Sequence, residues 1–253
     1  MLGRVVEREL SVYRRTWQGS IFTSFAAPAL FLAAIGLGLG GLVDEGTGDV
    51  AGTSYLVFVA PGLLAAMVMQ TASTDSLWPV MAGTRWLRFF HGMVASPLSP
   101  ADVYGGYVLW VGLRSCLSSS VFLVVAAVLG ALGSPTAVFA VPAAALGAIS
   151  FAAPICAYSV TRETDASFSV LFRLLIQPLF LFSGTFFPVS QLPDGIEPLV
   201  WLSPLYHAVE LCRAATTGRG DPFLLVVHVL VLVGVVVASA AIGTRAFAKR
   251  LTP

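Results

Sequence analysis

Three ionisable residues of this chain fall inside long apolar stretches, where charged side chains are rare. Asp75 lies within the predicted membrane span 55–80, Arg114 within 101–131 and Arg173 within 167–187. A charge inside a bilayer costs about 2.5–3.5 kcal/mol on insertion scales, so such residues normally pair or face a polar cavity. We therefore predict that Asp75 pairs with Arg114 or Arg173, and residue-counted depth favours Arg173. The alternative is that these charges line a path for a substrate.

The motifs for nucleotide hydrolysis and metal binding are missing from the sequence. A phosphate-binding loop ends in Gly-Lys-Ser/Thr, whereas the single lysine, Lys249, is followed by Arg250. The histidines are scattered and have no metal-binding spacing. They are His91, His207 and His228. His207 and Glu210 could share a helix face, and we interpret them as a hydrogen-bonded pair and not as metal ligands.

The sequence also offers no clear combination of a catalytic nucleophile with a general base. Ser183 before Gly184 suggests an intramembrane serine protease, but that chemistry needs a histidine deep in a neighbouring span, a place that only His228 could fill. The three cysteines lack redox spacing, and we interpret them as small buried residues. They are Cys116, Cys156 and Cys212. We expect no catalytic, metal or cofactor site on this chain.

The composition indicates a membrane protein. Of 253 residues, 57% are hydrophobic and 11% charged, and the mean hydropathy is +0.87; a soluble domain needs more charge to cover its surface. A bilayer crossing needs about 20 apolar residues. Four uncharged stretches hold one crossing each, and the fifth holds two because a turn-forming cluster at 132–135 divides it. The stretches cover residues 16–43, 50–74, 115–161, 174–193 and 222–244.

We therefore predict an all-α polytopic membrane protein with six transmembrane helices in a single domain, residues 1–253. The predicted spans cover residues 20–42, 55–80, 101–131, 136–160, 167–187 and 222–246. Residues 1–18 have one apolar helical face with arginines elsewhere, which is typical of a helix in the membrane interface. Residues 83–98 alternate arginines with large apolar residues, which predicts a short amphipathic helix on the cytoplasmic face.

Two further segments contain helix-start signals. Ser99 followed by Pro100 and then Asp102 is a cap for the third span. Residues 188–221 are too short and too charged to cross, so we predict two short helices folded into or resting on the outer half of the membrane. The second helix of this pair is expected to start at Ser203.

The basic residues predict the orientation of the chain. If both termini are cytoplasmic, ten of the fourteen Lys and Arg residues lie inside, and only Arg213 and Arg219 lie outside. The first outer loop, around residues 44–49, has acidic residues and no basic one. The positive-inside rule therefore places both termini in the cytoplasm.

Four motifs resemble bacterial ABC-transporter permeases of the type-2 exporter superfamily. The resemblance is greatest to permeases of nodulation lipo-oligosaccharide export and to daunorubicin-type drug permeases, and it covers residues 55–215. Members of this branch often carry a glutamate where this chain has Tyr107 after Gly106, which separates it from them at that position. The motifs are YLVFVAPG at 55–62, ASPLSPADV at 95–103, FSGTFFP at 182–188 and PLYHAVEL at 204–211.

The resemblance implies a permease subunit of an ATP-driven exporter in the bacterial plasma membrane. It implies a homodimer with two ABC ATPase subunits that bind ATP and Mg, and an amphipathic substrate such as a lipid-linked saccharide, glycolipid, drug or antibiotic; no nucleic acid is involved. It places the ATPase contact at residues 83–98 and an outer gate in the short helices. The residues expected at the ATPase are Arg85, Trp86, Arg88, Phe89 and Phe90, and those at the gate are Tyr206, His207 and Glu210.

Two other classes of function stay open from the residues themselves. An ion-coupled secondary transporter would need several intramembrane carboxylates, whereas only Asp75 lies well inside a span. An intramembrane enzyme would need a catalytic constellation, which the residues above do not form.

The topology predicts which loops a reagent can reach in intact cells. A cysteine that replaces Gly48 should react with a membrane-impermeant maleimide, because the first outer loop is extracellular. A cysteine that replaces Gly92 should stay unlabelled until the membrane is opened. The reverse pattern would refute the predicted orientation.

Overall fold

The computed structural model describes residues 1–35, 38, 52–193, 195 and 197–252, with the backbone alone for residues 17–28. Its regular elements are helices. The end of the predicted first span and the predicted first outer loop, with Gly48, lie outside the described residues.

Nine α-helices follow one another along the described chain. A π-helical turn, Ala82–Trp86, continues α2, and a 3-10 turn, Pro135–Phe139, leads into α5. The sixth helix includes a π-helical segment, Phe172–Ile176. The helices are α1 (Leu2–Ala33), α2 (Tyr55–Met81), α3 (Phe89–Val94), α4 (Pro100–Val128), α5 (Ala140–Thr161), α6 (Ala166–Phe182), α7 (Glu197–Val200), α8 (Pro204–Thr217) and α9 (Pro222–Leu251).

Four of these helices are long and apolar enough to cross a membrane. They are α2, α4, α5 with its preceding turn, and α9, and they correspond to the predicted second, third, fourth and sixth spans. Helix α6 stops at Phe182, before the predicted end at residue 187, because the chain turns at Gly184 with a φ of 79°. At 17 residues, α6 lies at the lower limit of about 17 for a crossing. The fifth crossing therefore stays a prediction, as does the first.

The start of α4 has the expected capping chemistry, and α8 has the expected bounds. The Ser99 hydroxyl accepts from the Asp102 N–H, the Asp102 carboxylate accepts from the Ser99 N–H, and Pro100 takes the first helical position. Helix α8 begins after Ser203 and ends before Gly218, whose φ of 70° suits a glycine C-cap. Short-range polar residues thus place helix ends that hydropathy alone leaves vague.

The amino-terminal residues form part of one continuous helix, α1, that runs parallel to α4. A Cβ added to Gly106 would lie 2.7 Å from Val5 Cβ, and the rings of Tyr13 and Trp110 are 5.7 Å apart. The predicted interfacial helix 1–18 is therefore not a separate element. The apolar face that suggested it packs on α4.

Burial separates the central helices from the peripheral ones. Of the most apolar 18 residues in each helix, 72% are buried in α2 and 17% in α9. Helix α2 contacts α4, α5 and α8. We conclude that α2 lies at the centre of the bundle and that most of the surface of α9 is not covered by the described part of this chain.

Candidate functional site

One side of α2 is not fully covered by the other described helices, and most residues on that side are polar. The hydroxyls of Thr71 and Thr74 donate to helix carbonyls one turn back, at 3.0 and 2.9 Å. These two hydroxyls are satisfied within the helix, but lipid cannot satisfy the side-chain amide of Gln70 on the same side. This side of α2 is therefore suited to contact with water or protein. Between residues 59 and 80, the exposed or half-buried residues are Met67, Gln70, Thr71, Thr74, Asp75, Trp78 and Pro79.

Helix α6 adjoins this open side and carries a polar stripe of its own. The Trp78 ring packs on Phe168 and Phe172, with centroid distances of 5.6 and 5.8 Å. The stripe is exposed and repeats every four residues, beside exposed apolar residues such as Leu174. The polar face, as we name it, consists of Gln70, Thr71, Thr74 and Asp75 of α2 and Ser169, Arg173 and Gln177 of α6.

The charge of Asp75 is paired with Arg114 of α4. Arg114 Nη1 lies 2.7 Å from Asp75 Oδ2, and the two side chains are 28% and 16% exposed. The preference for Arg173 was wrong; in the described part of the chain Arg173 is exposed and forms no ion pair. The depth count was wrong because α2 continues through its π-helical turn to Trp86. Asp75 is therefore about 16 Å from the helix end, counting about 1.5 Å per residue, which brings it within reach of Arg114.

The turn after α2, which the topology prediction places in the cytoplasm, exposes a small basic and apolar surface. Trp86 and Leu87 are 56% and 74% exposed, and Arg88 is exposed in the left-handed conformation with a φ of 53°. Arg85 instead donates to Glu163 at 3.0 Å, which ties the turn to the loop before α6. We name Trp86, Leu87 and Arg88 the coupling turn. Burial, followed by the neighbouring guanidinium groups, lowers the pKa of His91, so arginines supply the positive charge here.

Two residues predicted to contact an ATPase point into the protein. Phe90 is fully buried against Tyr107 and Phe247, with ring centroids 5.6 and 5.9 Å away. The Arg8 guanidinium lies 3.9 Å from the centre of the Phe89 ring. Neither phenylalanine forms the outer surface of the turn. The sequence showed their amphipathic alternation but not which side of the short helix would be covered.

At the other end of the bundle, His207 bonds to a second histidine and not to Glu210. His207 Nδ1 lies 2.7 Å from His228 Nδ1, and His207 Nε2 lies 2.9 Å from the Trp201 carbonyl oxygen. Because Nε2 must donate to that carbonyl, neutral His207 accepts at Nδ1 from His228. The predicted pairing with Glu210 was wrong, since α8 directs Glu210 to Arg213.

This histidine pair belongs to an aromatic cluster at the start of α8. The rings of Tyr206 and Trp201 have centroids 5.1 Å apart, and Arg213 donates to the Gly184 carbonyl at 2.7 Å. Burial lowers the pKa of His207, which favours its neutral form. The predicted gate residues thus lie close together at one end of the bundle, and their role as a gate stays a prediction.

The remaining candidates do not assemble a catalytic site among the described residues. Ser183 Oγ bonds to Ser203 Oγ at 2.9 Å. No group of three or more His, Cys, Asp or Glu side chains is placed to hold a metal in the part of the chain that the structure describes. Cys156 and Cys212 are buried, and Cys116 is half-buried.

Most residues of the polar face were not predicted from the sequence, because they carry no charge. Four of them are uncharged and lie within the uncharged stretches 50–74 and 174–193, where charge gives no signal. They are Gln70, Thr71, Thr74 and Gln177. Their four-residue spacing, Gln70 to Thr74 and Arg173 to Gln177, was the available signal, because residues four apart share a helix face.

Comparison with known proteins finds one transporter family and its relatives along most of the chain. A model of the ABC-2 type transporter family matches residues 2–216. Nodulation protein J of Bradyrhizobium diazoefficiens is 30% identical over 216 residues, which cover 85% of this chain and 81% of that protein. Nodulation protein J of Rhizobium leguminosarum bv. viciae is 28% identical over 250 residues, covering 96% and 94%. The inner membrane transport permease YadH of Escherichia coli is 22% identical over 233 residues, covering 89% and 86%.

The Asp75–Arg114 pair can be tested with a double-mutant cycle. Asp75→Ala or Arg114→Ala alone leaves one charge without a partner and should cost about 3–5 kcal/mol of stability. The double substitution removes both charges and should cost less than the sum. The measurement is the thermal stability of purified protein in detergent, with Arg173→Ala as the matched control. Additive losses would contradict direct pairing.

Proposed function

This chain belongs to the ABC-2 type transporter family, and from that premise we propose that it is the membrane-spanning permease subunit of an ATP-driven exporter. The observation that carries the proposal is the polar face, because a polar surface on the open side of a central helix is suited to a transport path. The charge of Arg173, exposed on α6, also fits a surface that contacts water or substrate.

An amphipathic substrate fits this surface best. The polar face of α6 borders exposed Val170 and Leu174, so one molecule could contact polar and apolar groups at once. The resemblance to lipo-oligosaccharide export permeases favours a lipid-linked saccharide or glycolipid. A hydrophobic drug or antibiotic is the other candidate.

We place ATP hydrolysis on separate subunits. The chain has no Gly-Lys-Ser/Thr motif to hold phosphates, and ABC-2 permeases in general work with an ABC ATPase. The proposed assembly contains two ATPase subunits and two copies of this chain, with the polar face turned toward the second copy. Both termini lie in the cytoplasm of a bacterium, and the remaining two predicted spans complete six crossings of the plasma membrane.

The coupling turn is the proposed ATPase contact. It combines an exposed tryptophan, leucine and arginine, and tryptophan and arginine are enriched among residues that dominate binding energy in protein interfaces. Its connection to the loop before α6 through Arg85 would let movement at the ATPase reach both helices of the polar face. If the turn only anchored the protein at the membrane surface, ATPase binding would not depend on it.

The alternative of an ion-coupled secondary transporter is less well supported. The intramembrane carboxylate of Asp75 is already neutralised by Arg114 at 2.7 Å. A carboxylate held in an ion pair is a poor carrier for a coupling ion.

Replacing Trp86 and Arg88 with Ala should weaken binding of the ATPase subunit. A loss of about 2 kcal/mol, which is typical of an interface hot spot, corresponds to about 30-fold lower affinity. The purified permease would be titrated with its ABC ATPase partner subunit. Arg4→Ala is the control, since Arg4 is an exposed arginine near the start of α1. Unchanged affinity with a folded permease would refute the assignment.

The polar face should be accessible to water in the membrane. In a variant without the three native cysteines, Thr74→Cys and Gln177→Cys should react with a water-soluble maleimide faster than Leu174→Cys, because a thiol reacts as its thiolate. Leu113→Cys, on an exposed apolar stripe of α4, is the second control. Equally slow labelling at all four positions would show that the face is covered and is not a path.

A further inference from the structure

Pro79 leaves a backbone acceptor unmatched at the position of the intramembrane charge. In an α-helix the carbonyl of residue 75 accepts from the N–H of residue 79, and proline has no N–H. The Tyr107 hydroxyl of α4 takes this place and donates to the Asp75 carbonyl oxygen at 2.7 Å. Tyr107 is 3% exposed, so water has little access to replace it.

Helix α4 therefore holds Asp75 at two atoms. Tyr107 binds its carbonyl, and Arg114 binds its carboxylate at 2.7 Å. The two α4 residues are seven positions apart and so lie on one face of the helix. Any shift of α4 at this level would move the backbone and the charge of Asp75 together.

Tyr107 also contacts the segment that follows the coupling turn. Its ring lies 5.6 Å from the Phe90 ring in an edge-to-face arrangement. Phe90 is held in place because it is fully buried. Its ring packs so closely on Gly83 that a Cβ added to Gly83 would lie 2.7 Å from the ring carbons. A row of contacts thus runs from Gly83, three residues before the coupling turn, through Phe90 and Tyr107 to Asp75. The coupling turn joins this row through the chain, since Arg88 directly precedes α3, which carries Phe90.

We infer that Tyr107 is a positioning residue that transmits movement of the coupling turn to the Asp75–Arg114 pair at the polar face. This inference rests on the proposed function, since it requires an ATPase that moves the turn. Packed interiors transmit small displacements because they contain few voids, and the hydrogen bond to Asp75 ties the last contact to a defined atom. Tyr107 thereby links ATP binding on another subunit to the transport path.

A matched control lies one turn away on the same helix. Tyr104 is also buried, and its hydroxyl donates to the carbonyls of Ala153 and Ser239, both at 3.1 Å. These acceptors belong to α5 and α9, so Tyr104→Phe removes a buried hydroxyl without touching α2. Its effect measures what the loss of such a hydroxyl does to folding alone.

The test uses the complex of permease and ATPase in proteoliposomes, with the three native cysteines removed and Gln70→Cys as a reporter in the polar face. A water-soluble maleimide is the probe, and its labelling rate is compared with and without ATP and Mg²⁺. We expect ATP to change the rate in this parent protein. Tyr107→Phe should abolish that change, whereas Tyr104→Phe should keep it. ATP hydrolysis, measured in parallel, verifies that each complex is assembled.

A second variant separates transmission from folding. Pro79→Ala restores the N–H that can satisfy the Asp75 carbonyl, so Pro79→Ala with Tyr107→Phe should recover the thermal stability lost in Tyr107→Phe. The dependence of labelling on ATP should remain lost, relative to Pro79→Ala alone. Three results would overturn the inference. The double variant could regain the ATP dependence of labelling, Tyr107→Phe could keep it, or Tyr104→Phe could lose it to the same extent. A parent protein whose labelling ignores ATP would overturn the proposed function, and this inference with it.

Discussion

The bilayer interior supplies neither water nor counter-ions, so each polar group that the chain places there needs a partner within the protein or a water-filled path beside it. The ion pair of Asp75 and Arg114 is the most demanding case, because a single unpaired charge in this environment is costly. Their 2.7 Å contact requires α2 and α4 to meet at one level and with one pair of faces in contact. The arrangement of the other helices around α2 has to respect that register.

Side-chain hydroxyl groups likewise donate hydrogen bonds to backbone carbonyls of neighbouring helices. Besides the bond from Tyr107 to Asp75, Ser159 of α5 donates to the Leu77 carbonyl of α2 at 2.8 Å. Tyr104 joins α4 to both α5 and α9. In lipid the hydrophobic effect does not press helices together, so such hydrogen bonds and close packing supply specificity. The bundle is thus connected by short polar contacts between otherwise apolar surfaces.

The sequence predicted the features that depend on local chemistry. Absence of charge located the four long helices, and the Ser99–Asp102 cap fixed where α4 begins. The predictions from sequence were wrong where packing against a distant part of the chain determines the partner or the burial of a residue. The partner of Asp75 depended on how far α2 extends beyond Val80, and the burial of Phe90 depended on α4 and α9 covering one side of α3. The uncharged residues of the polar face were missed because hydropathy averages do not distinguish one side of a helix from another.

The unequal lengths of α6 and α9 have a consequence for the surrounding lipid. Helix α9 has 30 residues and is about 45 Å long at about 1.5 Å per residue, whereas the 17 residues of α6 reach about 25 Å by the same rise. A bilayer core of about 30 Å lies between these two lengths. Helix α9 would then tilt or extend beyond the core, and α6, as the predicted fifth crossing, would require thinner lipid beside it. Because α6 contributes three of the seven residues of the polar face, the acyl-chain length of the lipid would affect that face mechanically. If α6 crosses the membrane as predicted, membrane thickness would act on this subunit through the shape of the bilayer and not through a binding site.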